Sequence, residues 1–261
     1  MTARMPHARL RERVVLVTGS GTGIGKAIAI ASAAEGAQVV CAGMDLEANR
    51  QTAREIEAGG GIATVIGCDV RVASDVESLV AGAIAHYGHV DVMCNNAGIG
   101  IHGQLHEVPE EQWRDSFRTN VDSIYYTTRA LIPHFRERQS GNIVNIASTF
   151  GLLAYPAYAA YCATKGAVVA LTKQMALDYG PHIRVNCICP GATEAPRVRR
   201  YIDSTPDPAA TEASFAALNR ALHRLARPDE VASVFVFLAS DESSFITGHS
   251  LVVDGGQTID A

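Results

Sequence analysis

No stretch of this 261-residue chain approaches the roughly eighteen consecutive apolar residues that a membrane-spanning helix needs. The alanine-rich segment after Lys26 is interrupted by Ser32 and Glu35. There is no dense basic stripe, and the net charge of −5 argues against a nucleic-acid platform. Neither a Cys-x-x-Cys pair nor a His-rich tract is present, so no metal site is expected. Internal repeats, low-complexity tracts and an inter-domain linker are also missing. The segment Met1–Arg13 holds four arginines, but no apolar block with a cleavage site follows it. Residues 1–12 are therefore read as a disordered leader and the chain as cytoplasmic.

What is present is an ordinary globular balance, with 48% hydrophobic residues, 19% charged residues and 23 glycines. The length suffices to bury a large core in one domain spanning residues 13–261. Six cysteines stand at 41, 68, 94, 162, 187 and 189, five of them within or at the end of apolar runs. They are read as inert structural thiols, with Cys162 the exception to watch because it adjoins Tyr161. Cys187 and Cys189 are taken to face opposite sides of their strand.

Short β-branched runs recur at Val14–Thr18, Gln38–Ala42, Ala63–Ile66, Val90–Cys94, Ile143–Ala147, Ile183–Ile188 and Ser250–Val253. Stretches with helical spacing separate most of them, among them Asp75–Tyr87, Pro109–Arg138 and Ala157–Tyr179. Strands apolar throughout and alternating with helices indicate a parallel sheet covered on both faces. The expected fold is a doubly wound α/β domain with a seven-stranded parallel sheet and right-handed crossovers. One segment breaks the rhythm. Residues 192–227 contain Pro196, Pro206 and Pro208, an arginine cluster at 197, 199 and 200, and an amphipathic stretch with Phe215, Leu218 and Leu222. An insertion of that length after a strand end reads as a lid or binding loop, or as a surface excursion with solvated arginines.

Tyr161 and Lys165 lie four residues apart, and Ser148 lies thirteen residues before the tyrosine (161 − 148). On a helix, i and i+4 side chains share a face, which sets the ammonium near the phenol. A free tyrosine titrates near pH ~10, and lowering that by two or three units takes roughly 3–4 kcal/mol. A unit charge about 4 Å away supplies roughly 4 kcal/mol at an effective dielectric near 20. One lysine is enough. At the other end of the chain's logic, the first strand runs into Thr18-Gly19-Ser20-Gly21-Thr22-Gly23-Ile24-Gly25, just before a helix. Glycines there allow a tight turn and close approach of backbone to a pyrophosphate, with the helix N-terminus facing it. A P-loop is excluded because Gly25-Lys26 is followed by Ala27. Asp45, Asp69-Val70 and Asn95-Asn96-Ala97-Gly98 follow the second, third and fourth strands, where a dinucleotide in the carboxyl-edge crevice would meet them.

From about Arg13 to its C-terminus the chain resembles the short-chain dehydrogenase/reductases. Thr18–Gly25, Asp69, Asn95–Gly98, Asn120, Ser148, Tyr161, Lys165 and Pro190-Gly191 carry the resemblance, as do Ile246-Thr247-Gly248 and Val253-Asp254-Gly255-Gly256. The resemblance implies a Rossmann-type fold, a nicotinamide dinucleotide and a homotetramer built from the helices around 109–138 and 157–180. It implies that Tyr161 exchanges a proton with the substrate oxygen, that Lys165 lowers the tyrosine pKa and holds the nicotinamide ribose, and that Ser148 polarises the substrate oxygen. Asn120 would hold a water linking Lys165 to solvent. The implied cofactor contacts are Gly19, Thr22, Gly23, Ile24, Asp45, Asp69, Val70, Asn96, Gly98, Tyr161, Lys165, Pro190, Gly191 and Thr193.

Two positions depart from the family pattern. Gly43 stands where an aspartate usually selects the free ribose, followed by Met44 where phosphate-binding relatives place arginine, and then by Asp45. With no cation beside it and Asp45 two residues on, NAD is expected over NADP. After Pro190-Gly191, Ala195 stands where many relatives carry a carboxamide-binding threonine, and Thr193 is its candidate substitute. The reading is hydride transfer between NAD and a secondary alcohol or carbonyl compound. Its alternatives are an NADP-dependent 3-oxoacyl-thioester reductase and a dinucleotide-binding protein without turnover. Segments 100–103, 149–155 and 192–222 should wall the substrate pocket. Phe150, Leu152, Leu153 and Tyr155 there suit a hydrophobic or cyclic substrate, or else plain lid packing. Arg197, Arg199 and Arg200 read as solvated charge or as contacts for an anionic substrate. His102 and His106 line the entrance or face water.

Overall fold

Each β-branched run of the sequence becomes a strand because both of its faces find apolar cover. The computed structural model describes residues 8–259. Its sheet contains β1 (Val14–Thr18), β2 (Gln38–Gly43), β3 (Ile62–Gly67), β4 (Val92–Asn95), β5 (Gly141–Ile146), β6 (Ile183–Pro190) and β7 (Ser250–Val253). All neighbours are parallel, in the order β3-β2-β1-β4-β5-β6-β7. Along β1, Val14 and Leu16 enter one core cluster while Val15 and Val17 enter the other. The first cluster is closed by α3 (Ala73–Tyr87), α5 (Ser123–Arg138) and α6 (Ala159–Tyr179). The second is closed by α1 (Gly23–Ala34), α2 (Leu46–Ala58) and α9 (Pro228–Ala239). The doubly wound, seven-stranded parallel architecture is the one the alternation implied. Among the described residues, no helix is long and apolar enough to cross a membrane.

Three expectations need correction. The expected helix over 109–138 is broken into α4 (Glu110–Phe117), a π-helical turn (Arg118–Asp122) and α5. The wider turn covers only five residues, too few for a change of period to stand out in the sequence; π-turns of this kind cluster at functional sites. Residues 8–12 are not a disordered leader but pack on the domain. Leu10 is fully buried, its N–H donates to the Glu35 carbonyl at 3.0 Å, and Arg9 pairs with Glu35 at 2.6 Å. The remainder, residues 1–7, lies outside the described residues. Finally, Cys187 and Cys189 share a face, since side chains alternate along a strand and i, i+2 residues point the same way. Both sit in the cluster under α5 and α6, while Ile188 faces the other.

The segment after β6 folds into α7 (Pro196–Asp203) and α8 (Pro208–Leu218). Arg199 joins the two, pairing with Glu194 at 2.9 Å and Glu212 at 2.8 Å. Its guanidinium is a clasp within this excursion rather than a freely solvated charge.

Candidate active site

The strand order reverses between β1 and β4, and the carboxyl edge there is a crevice of the kind that takes dinucleotides. Gly19 turns the chain out of β1 with φ +65°, and a Cβ on it would lie 3.1 Å from the Ala97 Cα. Gly25 is tighter still, because its Cβ would lie 2.2 Å from the Gly19 carbonyl oxygen and 2.3 Å from the Asn96 amide nitrogen. Asn96 fastens the loop: its side-chain amide donates to the Thr18 and Gly19 carbonyls at 2.8 and 3.1 Å. Gly23 has φ +56° and opens α1, with Thr22 as an N-cap whose side chain makes no cap hydrogen bond to the first turn. Those uncapped donors and the glycine cradle fit a pyrophosphate. Ile24 is half-buried and packs on the second core cluster.

Further along this edge, Asp45 caps α2, accepting from the Ala48 N–H at 3.0 Å, and is exposed. Behind it, Ser20 donates to Asn49 at 2.8 Å, and both are buried. Sequence reasoning passed over that pair, since a polar residue inside an amphipathic helix gives no sign of what it will meet. Asp69 is chelated by Arg71, with contacts of 2.7 to 3.1 Å, and the guanidinium holds its carboxyl below the usual range. Val70 is buried in the core, so only its backbone faces the crevice. The expectation that no cation stands near Met44 is overturned: the Arg71 guanidinium lies 3.8 Å from the Met44 sulfur.

The catalytic candidates come together from three elements. Tyr161 and Lys165 occupy consecutive turns of α6, with the lysine Nζ 5.6 Å from the tyrosine ring centroid. Lys165 is 4% exposed, and its ammonium donates to the Ile146 carbonyl at 2.7 Å. A buried charge needs such a partner. Ser148 follows β5 and caps a short 3-10 turn, its Oγ accepting from the Phe150 N–H at 3.2 Å. An oxygen that accepts there keeps its own proton for donation elsewhere. Gly151 ends that turn, and a Cβ on it would lie 2.6 Å from the Lys165 carbonyl oxygen. The glycine lets the Ser148 segment lie directly on α6, a role no sequence signal announced.

Asn120 sits within the π-turn and is buried. Its side chain grips both polar groups of Ile99 at 2.8 Å and donates to Thr164 on α6 at 3.0 Å. Gly98 leaves room for this: a Cβ there would be 3.1 Å from the Asn120 oxygen and 3.5 Å from the Lys165 ammonium.

Pro190 ends β6, and Gly191 is pressed against the turn after β7, where its Cβ would lie 2.8 Å from the Asp254 Cα. Thr193 is buried and donates to the Gly191 carbonyl at 3.0 Å. Ala195 caps α7, and its Cβ lies 3.4 Å from where Gly23 would carry one, so the excursion arrives at the glycine loop. The Phe150 ring meets Tyr161 edge-on and also touches the rings of Tyr155 and Tyr158, with His102 edge-on to Tyr158. His106 is exposed. Burial pushes the Cys41 and Cys68 thiols up to about 11 and about 12, and raises Cys162 as well. Thiols held so far above neutrality are packing groups. Among the described residues, no cluster of three or more His, Cys, Asp or Glu could hold a metal ion.

Comparison with known proteins shows the family and the fold. The family described as enoyl-(acyl carrier protein) reductase matches residues 19–258. A 2-(S)-hydroxypropyl-CoM dehydrogenase of Xanthobacter autotrophicus is 36% identical, over 96% of this chain and 98% of its own. A cyclopentanol dehydrogenase of a Comamonas species is 38% identical over the same shares, 96% and 98%. Among solved structures, a short-chain type dehydrogenase/reductase from Mycobacterium marinum superimposes with a TM-score of 0.90 at 34% identity, over 97% of this chain and 98% of that one.

Proposed function

The chain belongs to the short-chain dehydrogenase/reductases and is a nicotinamide-dinucleotide oxidoreductase of alcohol and carbonyl groups; from that premise we propose that it is an NAD-dependent secondary-alcohol dehydrogenase run by Tyr161, Lys165, Ser148 and Asn120. When bound, the nicotinamide takes or gives the hydride, chemistry that protein side chains do not perform. Gly19, Thr22, Gly23, Ile24 and Asn96 would cradle the pyrophosphate side, Asp45, Asp69 and the Val70 backbone the adenosine side. Gly98, Tyr161, Lys165, Pro190, Gly191 and Thr193 would surround the nicotinamide half.

Tyr161 removes the proton of the alcohol oxygen, or returns it to a carbonyl. The Lys165 ammonium, 5.6 Å from the ring centroid, is a nearby positive charge that favours the phenolate over the phenol. Ser148, whose Oγ is already an acceptor for Phe150, turns its proton to the substrate oxygen and fixes its position. The side-chain amide of Asn120 is committed to Ile99 and Thr164, so a relay water would have to be held by the main chain of that residue. The observation that carries this reading is the buried Lys165 ammonium, pinned to Ile146 under the Tyr161 ring. Tyr161→Phe is expected to lower kcat by about a thousandfold or more while the NADH dissociation constant, from a fluorescence titration, moves less than about threefold. Turnover near wild type would reject Tyr161 as the acid/base.

NAD is preferred because Asp45 is an exposed carboxylate at the start of α2 and the one guanidinium seen beside Met44 is neutralised by Asp69. The second reading, an NADP-dependent 3-oxoacyl-thioester reductase, draws on that same Arg71 and on the acyl-carrier description of the matched family. Rates at matched NADH and NADPH concentrations decide it, a preference above about tenfold for the phosphorylated form defeating the first reading. We further assign a cytoplasmic location, a lid function to the segment 192–227, and a homotetramer.

A further inference from the structure

The rings beside Tyr161 are a connected cluster held from the far end of the chain. Phe150 lies flat on Tyr155, with centroids 3.8 Å apart and planes 7° from parallel. It also meets Tyr161 at 5.6 Å and Tyr158 at 5.0 Å, both edge-on. All four rings retain accessible surface. The stretch from Leu152 to Tyr158 is turn and irregular backbone, which by itself does not fix a ring plane.

Gln257 supplies the missing constraint. Its amide nitrogen donates to the Tyr155 hydroxyl, and its oxygen accepts from Thr149 at 3.2 Å. Gln257 is 3% exposed and Thr149 fully buried. A Cβ on Gly191 would lie 2.8 Å from the Gln257 oxygen, so the amide is wedged between that corner, the residue after Ser148 and the wall tyrosine. Its backbone is fixed as well, because Asp254 accepts from the Gly256 and Thr258 N–H groups at 3.0 and 2.7 Å. One amide therefore ties both ends of the segment that begins with Ser148 and ends with the stacked tyrosine.

A flat pair of rings offers dispersion contact to another ring, whose shape is already set. A flexible open chain of equal carbon number gives up rotor freedom to make the same contact. Resting on the dehydrogenase reading above, we propose that Gln257 is a specificity-determining positioning residue, which holds the Phe150–Tyr155 stack as a platform for ring-bearing secondary alcohols and their ketones. The amide touches neither the reacting atoms nor the proton. Its effect runs through the plane of Tyr155.

The test compares cyclohexanol with 2-hexanol in wild type, Gln257→Leu, Tyr155→Phe and the double variant. Wild type is expected to favour cyclohexanol by about tenfold or more in kcat/KM. Gln257→Leu is expected to cut that ratio below about threefold, chiefly by raising the KM for cyclohexanol, the signature of lost binding rather than lost chemistry. Tyr155→Phe and the double variant should lose the preference to the same extent as Gln257→Leu, because each removes the one Gln257–Tyr155 tether. The melting temperature and the NADH dissociation constant are recorded for each variant. Where Gln257→Leu does not fold, Gln257→Asn, too short to reach both partners, is read in its place. Turnover without ring preference, or an equal loss on both alcohols, overturns the inference alone. No turnover of any secondary alcohol or ketone with either cofactor overturns the dehydrogenase reading, and this inference with it.

Discussion

Arg71 shows how a single residue changes the question of cofactor choice. Two charges meet there. Asp69 chelates the guanidinium, and the same guanidinium reaches the Met44 sulfur. Removing it would leave an uncompensated carboxylate at the proposed adenosine site, which a 2′-phosphate would feel far more than a hydroxyl. Arg71→Ala is therefore expected to lower kcat/KM with NADP by about fivefold or more while changing that with NAD by less than about threefold. A parallel fall with both cofactors would show that Arg71 merely shapes the loop. The sequence hid this contact because 27 positions separate the two residues. Only the parallel register of β2 and β3, pairing Gly43 with Gly67, brings Met44 and Arg71 to one corner. The glycine loop was legible for the opposite reason. Its tightest contact is local in the chain, since the Gly25 Cβ clash with Gly19 explains why glycine recurs at that spacing.

At the scale of elements, a buried polar ladder sets how α5 and α6 sit on the sheet. Thr127 on α5 donates to Asn95 at 2.9 Å, Asn95 to Asn145 at 2.8 Å, and Asn145 to Thr172 on α6 at 2.9 Å. Thr127 follows Asn120, and Thr172 follows Lys165, by seven residues each (127 − 120; 172 − 165). On α6 seven residues are close to two helical turns, so there the ladder lies on the same face as Lys165, whereas the π-turn breaks that spacing between Asn120 and Thr127. Thr172→Val keeps the shape and strands the Asn145 amide. It is expected to cost about 1–3 kcal/mol in a urea titration, and a change under about 0.5 kcal/mol would deny the ladder a structural role. Strand and helix alternation was readable because β-branched runs and helical spacing are properties of consecutive residues. The ladder and the π-turn were not. An asparagine in an apolar run does not reveal its partner on the next strand, and the wider turn at Arg118–Asp122 leaves no mark in composition.

At the scale of the whole molecule, apolar surface remains that a lone copy leaves in water. Ala163, Ala170 and Leu177 recur every seventh residue on the exposed face of α6, and Leu177 is 79% exposed. Tyr125 on α5 is 57% exposed. Small residues along such a face let a second helix approach at the usual interaxial distance of roughly 8–10 Å. Phe245 is fully exposed just before β7, the edge strand, whose unpaired backbone also gains from cover. Burying side chains of this size contributes about 2 kcal/mol apiece. Two separate self-complementary patches, each related by its own twofold, generate a closed tetramer. Light scattering is then expected to give the mass of four chains for wild type. Ala170→Arg combined with Leu177→Glu should reduce that to two, because it places charge in the helix face and leaves Phe245 untouched. Activity should fall with the mass, since α6 also holds Tyr161 and Lys165 and loses its packing on the far side. A wild-type monomer, or a doubly charged variant that still weighs four chains, would remove α6 as an assembly face and leave Leu177 an isolated surface leucine of the ordinary kind.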